Sequence, residues 1–333
     1  MKITCLGLGA WGFTLANLLA MNGHEVLGWS RDPQLVKALL QSEQHPKFPG
    51  HRKEPLLHAT TDFEKALAFG DVVLESVTCK GLREVLGKIL AIDPQFSKPL
   101  IVTSKGIEQK TGLLVDEIVL DVMGERFKEH IGCLSGPSIA KEVIDQLPTS
   151  CVCSAFSPSL MELIKNIFVN PFFRVYPNSD LIGVEFGGAM KNIIAIACGL
   201  SDGLGYGANT KAAIMTRGLH EIRKLSVVKG CNAKTLNGLA GLGDLCTTCL
   251  SKDSRNYRFG YLLAEGVDPH KAQEKIGMVV EGMHTCISAL ELGDKAGISL
   301  PITTAIYQIV YEGLAPQEAV KALLTREIKE EHL

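Results

Sequence analysis

The sequence predicts an α/β protein, with an N-terminal Rossmann domain on a doubly wound sheet and a C-terminal all-helical domain. Three observations predict this fold class. Short apolar segments alternate with helical periodicity in the first half, as in a parallel sheet with right-handed crossovers. A GxGxxG string stands between the first apolar segment and the first helical one, at residues 7–12. From about Leu181 onward the apolar pattern is helical, and strand patterns are scarce.

Length and composition support two globular domains. The chain has 333 residues, and domains hold roughly 150 residues each. It is 46% hydrophobic and 21% charged, which excludes a disordered chain. The net charge of −2 lacks the polycationic signature of a nucleic-acid partner, so an anionic ligand must be held by a local cluster of charge. We predict a dinucleotide-binding domain at 1–180 and a helical substrate-binding and catalytic domain at 181–333.

The first domain is predicted from its apolar segments. Strands are expected at 2–6, 24–29, 71–78, 99–105, 130–136 and 149–156, and helices at about 12–22 and 81–92. The segment 44–55 is rich in proline and charge and predicts a long loop, often a binding loop on such a sheet. In the second domain, helices are predicted at 181–200, 208–229, 254–265, 271–276, 281–296, 301–312 and 316–331.

The glycine string has the strand-turn-helix context that a dinucleotide site requires. Gly7 permits the tight turn, Gly9 lets the backbone approach a pyrophosphate, and Gly12 lets helix and strand pack closely. The start of the following helix offers free N–H groups and a positive dipole end to phosphates.

Cofactor choice depends on the residues that end the second strand. Arg31 stands where a guanidinium could meet the 2′-phosphate of NADP(H), and Ser30 could hydrogen-bond it. Asp32 could bind a ribose or could cap the next helix, with Pro33 at its first position. This favours NADP(H), with NAD(H) as the alternative.

A proton donor is predicted within the apolar run EFGGAMKNIIAIACGL, where Lys191 is the one lysine. It could snorkel to solvent, or it could be desolvated, with a lowered pKa that suits proton transfer to a ketone oxygen. Gly187 and Gly188, one turn earlier, would allow a ligand to approach. Asp244, in a glycine-rich turn before a helix, is a candidate catalytic carboxylate or a helix cap.

Three further strings could bind an anionic substrate. Lys105 follows a predicted strand, at the edge where ligands gather in open α/β sheets. Gly136 and Ser138 belong to a Gly-Pro turn in which Ser138 is predicted to cap the next helix. Ser254, Arg255 and Asn256 predict a helix start where N–H groups and a guanidinium converge on one phosphate, or an ordinary solvated cap.

Other features point to an intracellular protein without a metal. The ten cysteines lie mostly in apolar runs, and the Cys246–Cys249 pair lacks the partners that a zinc site needs. The apolar N-terminus is interrupted by glycines and has one charge before it, unlike a signal peptide. We expect a cytoplasmic protein without membrane insertion.

Taken together, the motifs resemble the bacterial type of NAD(P)-dependent glycerol-3-phosphate dehydrogenase. The match runs from residue 1 to about 320 and rests on the ordered strings GLGAWG, SKG, LSGPSIAKE, GGAMKNIIAIACGLSDGLGYGANTKAAI, AGLGDL and SRNYRFG. The resemblance implies a Rossmann domain followed by a helical domain. It also implies reversible reduction of dihydroxyacetone phosphate to sn-glycerol 3-phosphate, the precursor of glycerophospholipids.

The resemblance also implies residue roles. Lys191 would donate and accept the proton, Asp244 would lie beside the reacting oxygen, and Lys105 would contact cofactor and substrate. The implied substrate contacts are Lys105, Gly136, Ser138, Lys191, Asp244, Ser254, Arg255 and Asn256. The implied cofactor contacts are Gly7, Gly9, Ala10, Trp11, Gly12, Arg31, Lys105, Ala140, Arg255, Val279 and Glu281. A homodimer is expected from the family.

Two other function classes stay open on the residues alone. One is a hydroxy-acid dehydrogenase with the same two-domain plan, which would prefer a carboxylate to a phosphate. The other is a non-catalytic dinucleotide sensor, which needs the glycine loop but not a lysine–aspartate pair.

Overall fold

The computed structural model describes residues 1–328, 330 and 331. The chain divides into two compact units, unit 1 (Met1–Ser104 and Val115–Leu181) and unit 2 (Lys105–Leu114 and Ile182–Leu333). The predicted division after residue 180 assigns Lys105–Leu114 to the first domain, whereas the structure groups this segment with unit 2. Three residues of the predicted second domain, 329, 332 and 333, lie outside the described residues.

Over the described residues, unit 1 is built on one sheet of eight strands. They are β1 (Lys2–Leu6), β2 (Glu25–Trp29), β3 (Leu57–Thr60), β4 (Val72–Glu75), β5 (Leu100–Val102), β6 (Ile131–Ser135), β7 (Thr149–Ala155) and β8 (Phe173–Pro177). Their order is β3-β2-β1-β4-β5-β6-β7-β8, so the chain leaves β1 first in one direction and then in the other. This is the predicted doubly wound sheet.

The connections of unit 1 carry seven α-helices within the described chain. They are α1 (Ala10–Met21), α2 (Pro33–Gln41), α3 (Phe63–Phe69), α4 (Cys79–Ile92), α5 (Val115–Met123), α6 (Ala140–Ile144) and α7 (Pro158–Phe168). Leu6, the last residue of β1, pairs with Trp29 of β2 and Glu75 of β4. The glycine loop therefore follows β1 at the switch point of the strand order, where such sheets bind ligands.

The sheet differs from the prediction in two respects. The sequence did not predict β3 and β8, which are the two edge strands and have weaker apolar patterns. The pair β6–β7 is antiparallel, although a parallel sheet was predicted. The connection between these strands contains only the five-residue helix α6, and it returns the chain in the opposite direction.

Unit 2 is helical over its described residues, as predicted. The helices are α8 (Leu181–Gly203), α9 (Ala208–Ser226), α10 (Asp244–Leu250), α11 (Arg255–Ala264), α12 (Pro269–Ile276), α13 (Glu281–Ala296), α14 (Pro301–Tyr311) and α15 (Pro316–Leu324). The prediction of a last helix to residue 331 is wrong, because α15 ends at Leu324. A π-helical turn, Leu239–Gly243, leads into α10.

Helix α8 is an apolar helix of 23 residues in unit 2. Its length and composition would allow it to cross a membrane. However, 94% of its most apolar segment is buried inside the protein, as in a core helix.

The cysteines are free thiols, and eight of the ten are buried. Burial raises the pKa of the Cys246 thiol, which keeps it in its unreactive neutral form. Among residues 1–328, 330 and 331, no group of three His, Cys, Asp or Glu side chains is placed to hold a metal ion.

Candidate active site

The glycine loop of unit 1 is shaped by backbone contacts. Gly7 has φ +107°, and a Cβ there would lie 2.6 Å from the carbonyl oxygen of Ser76. A Cβ on Gly12 would lie 1.8 Å from the carbonyl oxygen of Gly7, so the first turn of α1 can close on the loop only with glycine here. These contacts explain two of the three glycines by packing inside unit 1.

Gly9 is different, because a Cβ there would meet no atom within 4 Å. Gly9 is exposed and is the N-cap of α1, and no side chain caps the amides that follow. Ala10 and Trp11 are the first two residues of the helix. An open space in front of uncapped N–H groups fits the pyrophosphate of a dinucleotide.

The end of β2 leads directly into α2. The Asp32 carboxylate accepts hydrogen bonds from the Gln34 amide at 2.9 Å and the Leu35 amide at 3.4 Å, so Asp32 is the helix cap. Ser30 Oγ accepts from the Asp32 amide at 3.1 Å. Arg31 is exposed between them, and its guanidinium could reach an anionic ligand.

The Gly-Pro turn after β6 differs from the sequence prediction at Ser138. The interpretation of Ser138 as a helix cap is wrong, because α6 has Ile139 at its N-cap and the Ser138 hydroxyl donates to the Gly136 carbonyl at 2.9 Å. Gly136 has φ +117° and therefore needs glycine. The Ala140 carbonyl accepts from Thr14 of α1 at 3.4 Å, which places Ala140 beside the helix that the glycine loop opens.

Unit 2 brings two lysines to one buried carboxylate. Asp244, the first residue of α10, is 1% exposed, and its Oδ1 accepts a hydrogen bond from Nζ of Lys191 on α8. Its Oδ2 accepts from Lys105 Nζ at 2.7 Å. Asp244 is not a helix cap, because its carboxylate binds these two ammonium groups and α10 has no side-chain cap.

Burial sets the acid–base chemistry of Lys191. The residue is 8% exposed, and desolvation lowers its pKa to about 8. The Asp244 carboxylate opposes this shift, while the positive charge of Lys105 adds to it. The side chain does not snorkel to solvent, and it can exchange a proton near neutral pH.

Glycines on two elements allow Asp244 to reach Lys191. A Cβ on Gly187 would lie 2.5 Å from the carbonyl oxygen of Ala240, in the π-helical turn before α10. A Cβ on Gly241 would lie 2.1 Å from the carbonyl oxygen of Leu236. The interpretation that Gly187 makes room for a ligand is therefore wrong, since it makes room for the turn that carries Asp244.

The start of α11 has the predicted cap. Ser254 Oγ accepts from the Tyr257 amide at 3.3 Å, and Arg255 and Asn256 form the first turn. Arg255 donates to the Val279 carbonyl at 3.3 Å. Burial raises the pKa of Glu281 to about 7, although the positive charge of Arg255 opposes this. Unit 2 thus holds a partly buried guanidinium near a carboxyl group whose charge depends on pH near neutrality.

Comparisons with known proteins identify the family of this chain. Residues 2–160 match the family model of the NAD-dependent glycerol-3-phosphate dehydrogenase N-terminus, and residues 180–321 match that of its C-terminus. The chain belongs to this dehydrogenase family. A glycerol-3-phosphate dehydrogenase, NAD(P)+, of Protochlamydia amoebophila is 53% identical over 332 residues, which cover 100% of this chain and 99% of the relative.

Two further relatives of this dehydrogenase family cover nearly the whole chain. The Chlamydia trachomatis serovar L2b glycerol-3-phosphate dehydrogenase, NAD(P)+, is 52% identical over 331 residues, which cover 99% of each chain. The crystal structure of the Coxiella burnetii glycerol-3-phosphate dehydrogenase has a TM-score of 0.92 and 36% identity, and covers 98% of this chain and 99% of its own. The predicted family and fold class are confirmed.

The dehydrogenase contains polar residues that sequence reasoning missed. Asn192 Oδ1 accepts from Asn256 Nδ2 at 3.0 Å, and Asn256 Oδ1 accepts from the Gly282 amide at 2.9 Å. This chain of bonds links α8, α11 and α13 and orients Asn256. The Thr248 hydroxyl donates to the Asp244 carbonyl at 2.6 Å. A signal for Asn192 was present, because it directly follows Lys191 on a buried helix.

Proposed function

We propose that this chain catalyses the reversible NAD(P)H-dependent reduction of dihydroxyacetone phosphate to sn-glycerol 3-phosphate, which supplies glycerophospholipid synthesis. The observation that carries the proposal is the buried carboxylate of Asp244 bonded to Lys191 and Lys105, in a chain of this dehydrogenase family. An acid–base pair of this kind serves proton transfer at a carbonyl oxygen, and a dinucleotide sensor has no need of it.

Residues 1–180 are proposed to bind the cofactor. Pyrophosphate would lie against the uncapped start of α1, with Gly9 leaving room for it. The exposed guanidinium of Arg31 favours NADP(H), with NAD(H) as the alternative. The proposed cofactor contacts in unit 1 are Gly7, Gly9, Ala10, Trp11, Gly12, Arg31 and Ala140, and Lys105 of unit 2 is proposed as a further contact.

Residues 181–333 are proposed to carry the substrate and the chemistry. NADPH, when bound, supplies a hydride to the C2 carbonyl. Lys191, as an ammonium, donates its proton to the alkoxide oxygen that forms, and in the reverse direction its amine accepts that proton. Asp244 orients Lys191 and stabilises its charged form, and Lys105 donates hydrogen bonds to the substrate.

The phosphate group of the substrate is proposed to bind at the start of α11. Arg255 offers a partly buried guanidinium, and Ser254 and Asn256 supply the other phosphate contacts. Gly136 and Ser138 are proposed as further contacts of the substrate. Binding far from the reacting carbon holds the ketone in place for attack. Val279 and Glu281, which lie beside Arg255, are proposed as late cofactor contacts together with Arg255 itself.

Assembly and location complete the proposal. We propose a homodimer, since most soluble oligomers are closed and symmetric, and a cytoplasmic location. The proposed partner is a small phosphorylated substrate, and neither nucleic acid nor membrane insertion is required.

The test is a panel of substrates followed by NADPH absorbance, with NADH in parallel. Dihydroxyacetone phosphate is compared with dihydroxyacetone, which lacks the phosphate, and with a 2-oxo acid. We expect turnover with the phosphate ester and a loss of several orders of magnitude in kcat/KM without the phosphate. Preference for the oxo acid would support the hydroxy-acid dehydrogenase instead. NADPH binding without turnover of any substrate would support the sensor.

A further inference from the structure

Glu75 is an acidic residue buried in the sheet of unit 1. It is the last residue of β4 and is 0% exposed, with Leu6 of β1 and Val102 of β5 beside it. Among the described residues, no lysine or arginine forms an ion pair with it, and its partners are hydroxyl and amide groups. A buried carboxylate without a cation is costly, so the group favours its neutral form.

The hydrogen bonds at Glu75 fit a protonated carboxyl group. Oε1 accepts from the Val77 amide at 2.7 Å. Ser104 Oγ lies 2.6 Å from Oε1, 2.8 Å from Oε2 and 2.9 Å from the Val77 carbonyl oxygen. The hydroxyl has one proton for three acceptors. If Glu75 is protonated, its O–H donates to Ser104 Oγ, and Ser104 donates to the Val77 carbonyl. Ionisation turns the hydroxyl toward the carboxylate, and the Val77 carbonyl loses this donor.

The segment held in this way lies under the glycine loop. The Ser76 amide donates to the Leu6 carbonyl at 2.9 Å. A Cβ on Gly7 would lie 2.6 Å from the carbonyl oxygen of Ser76, and a Cβ on Gly12 would lie 3.0 Å from the Cβ of Ser76. Because the loop has no free space on this side, a shift of Ser76 or Val77 must move the pyrophosphate turn.

We propose that Glu75 is a positioning residue for the cofactor: its protonated carboxyl fixes Ser76 and Val77 under the glycine loop, and its ionisation releases them and weakens NADPH binding. The inference rests on the proposed function in taking NADPH as the ligand. It is carried by the Glu75, Ser104 and Val77 hydrogen bonds.

The switch works near neutral pH. Burial raises the pKa of Glu75 to about 7, although the Ser104 hydroxyl and the amides of Val77, Ser104 and Thr103 oppose this. Cys5 of β1 is the titratable side chain that faces Glu75, and burial raises its pKa so far that it stays a neutral thiol. In the residues that follow β5, the Ser104 hydroxyl faces the Glu75 carboxyl group, and the Thr103 hydroxyl donates to the Glu75 backbone carbonyl.

The test is the NADPH dissociation constant, measured by fluorescence titration between pH 6 and 8 for wild type, Glu75→Gln and Glu162→Gln. Glutamine keeps the donor and acceptor of a protonated Glu75. Glu162 is exposed on α7, where it pairs with Lys165 of its own helix, and its substitution removes the same charge as a control. We expect the wild-type dissociation constant, relative to that of Glu75→Gln, to rise about tenfold over this pH range. Glu162→Gln should follow wild type.

Equal pH dependence in wild type and Glu75→Gln would overturn the proposal. If no variant binds NADPH at any pH, the proposed function fails, and thermal unfolding then tests Glu75 alone. Burial raises the pKa of Glu75 in the folded protein to about 7, above its ordinary value of 4.5, so ionisation costs stability. The unfolding temperature of wild type should fall relative to that of Glu75→Gln as pH rises from 4.5 to about 7, and the difference should then stay constant. Parallel profiles would overturn the proposal here as well.

Discussion

Lys191 and Asp244 form an ion pair that is nearly sealed from solvent, with Lys105 on the second oxygen of the same carboxylate at 2.7 Å. Three charges at one point carry a net charge of +1 when both lysines are protonated. Each lysine therefore affects the other through Asp244.

Reduction of dihydroxyacetone phosphate should slow as pH rises. Lys191 must be protonated to act as the proton donor, and its pKa is lowered to about 8. We expect kcat to fall about tenfold per pH unit above that value, while oxidation of glycerol 3-phosphate gains from the neutral amine. Steady-state rates in both directions from pH 6 to 10 check this. Identical profiles in the two directions would contradict the donor role.

Asp244→Asn should shift the fall of the reduction kcat with rising pH to a lower pH. The carboxylate favours the ammonium form of Lys191, so its removal lowers the lysine pKa further. It also leaves two cations in a buried site, at a cost of about 3–5 kcal/mol in the free energy of unfolding. The pH profile of kcat and a urea unfolding curve measure both effects. A fall of kcat that begins at a higher pH than in wild type would contradict the role of the carboxylate.

Arg255→Ala should chiefly raise KM for dihydroxyacetone phosphate. The proposed role of this guanidinium is to hold a phosphate that does not react, equally in ground and transition states. Arg255→Lys is the matched variant, because it keeps the charge but loses the paired donors. We expect an intermediate KM from it. If Arg255→Ala left KM unchanged, the phosphate would have to bind elsewhere.

Gly9→Ala should weaken NADPH binding without destabilising the protein. A Cβ at Gly9 meets no protein atom within 4 Å, but it would occupy the proposed pyrophosphate space. We expect at least about a tenfold rise in the dissociation constant and a change in unfolding free energy within about 0.5 kcal/mol. Gly87→Ala on α4, equally free of contacts, is the control and should leave affinity unchanged. Unchanged affinity in Gly9→Ala would place the pyrophosphate elsewhere.

Sequence patterns predicted the parts of the fold that depend on local chemistry. Buried central strands such as β1 and β7 have continuous apolar runs, and their predicted bounds agree with the structure to within one residue. Edge strands β3 and β8 bury fewer side chains, so their apolar signal is weak. The antiparallel direction of β7 depends on the path of the chain between strands, which periodicity does not encode.

The sequence predicted the candidate site residues in separate motifs, and the structure shows the distances between their side chains. That Asp244 would bond to both Lys191 and Lys105 could not be derived from residues far apart in sequence. Gly187 and Glu75 show the limit most directly. Gly187 was assigned to a ligand, although a Cβ there would meet the backbone of Ala240. Glu75 was not singled out in its predicted strand, although it is a buried acidic residue.

The central claim is that Lys191 donates the proton during reduction of the ketone. A single-turnover measurement of NADPH absorbance tests it, with dihydroxyacetone phosphate mixed into wild type and Lys191→Ala at pH 7. We expect wild type to consume the bound NADPH and the variant to do so about 10²-fold or more slowly, the usual effect of losing an acid–base group. Equal rates in the two proteins would contradict the account.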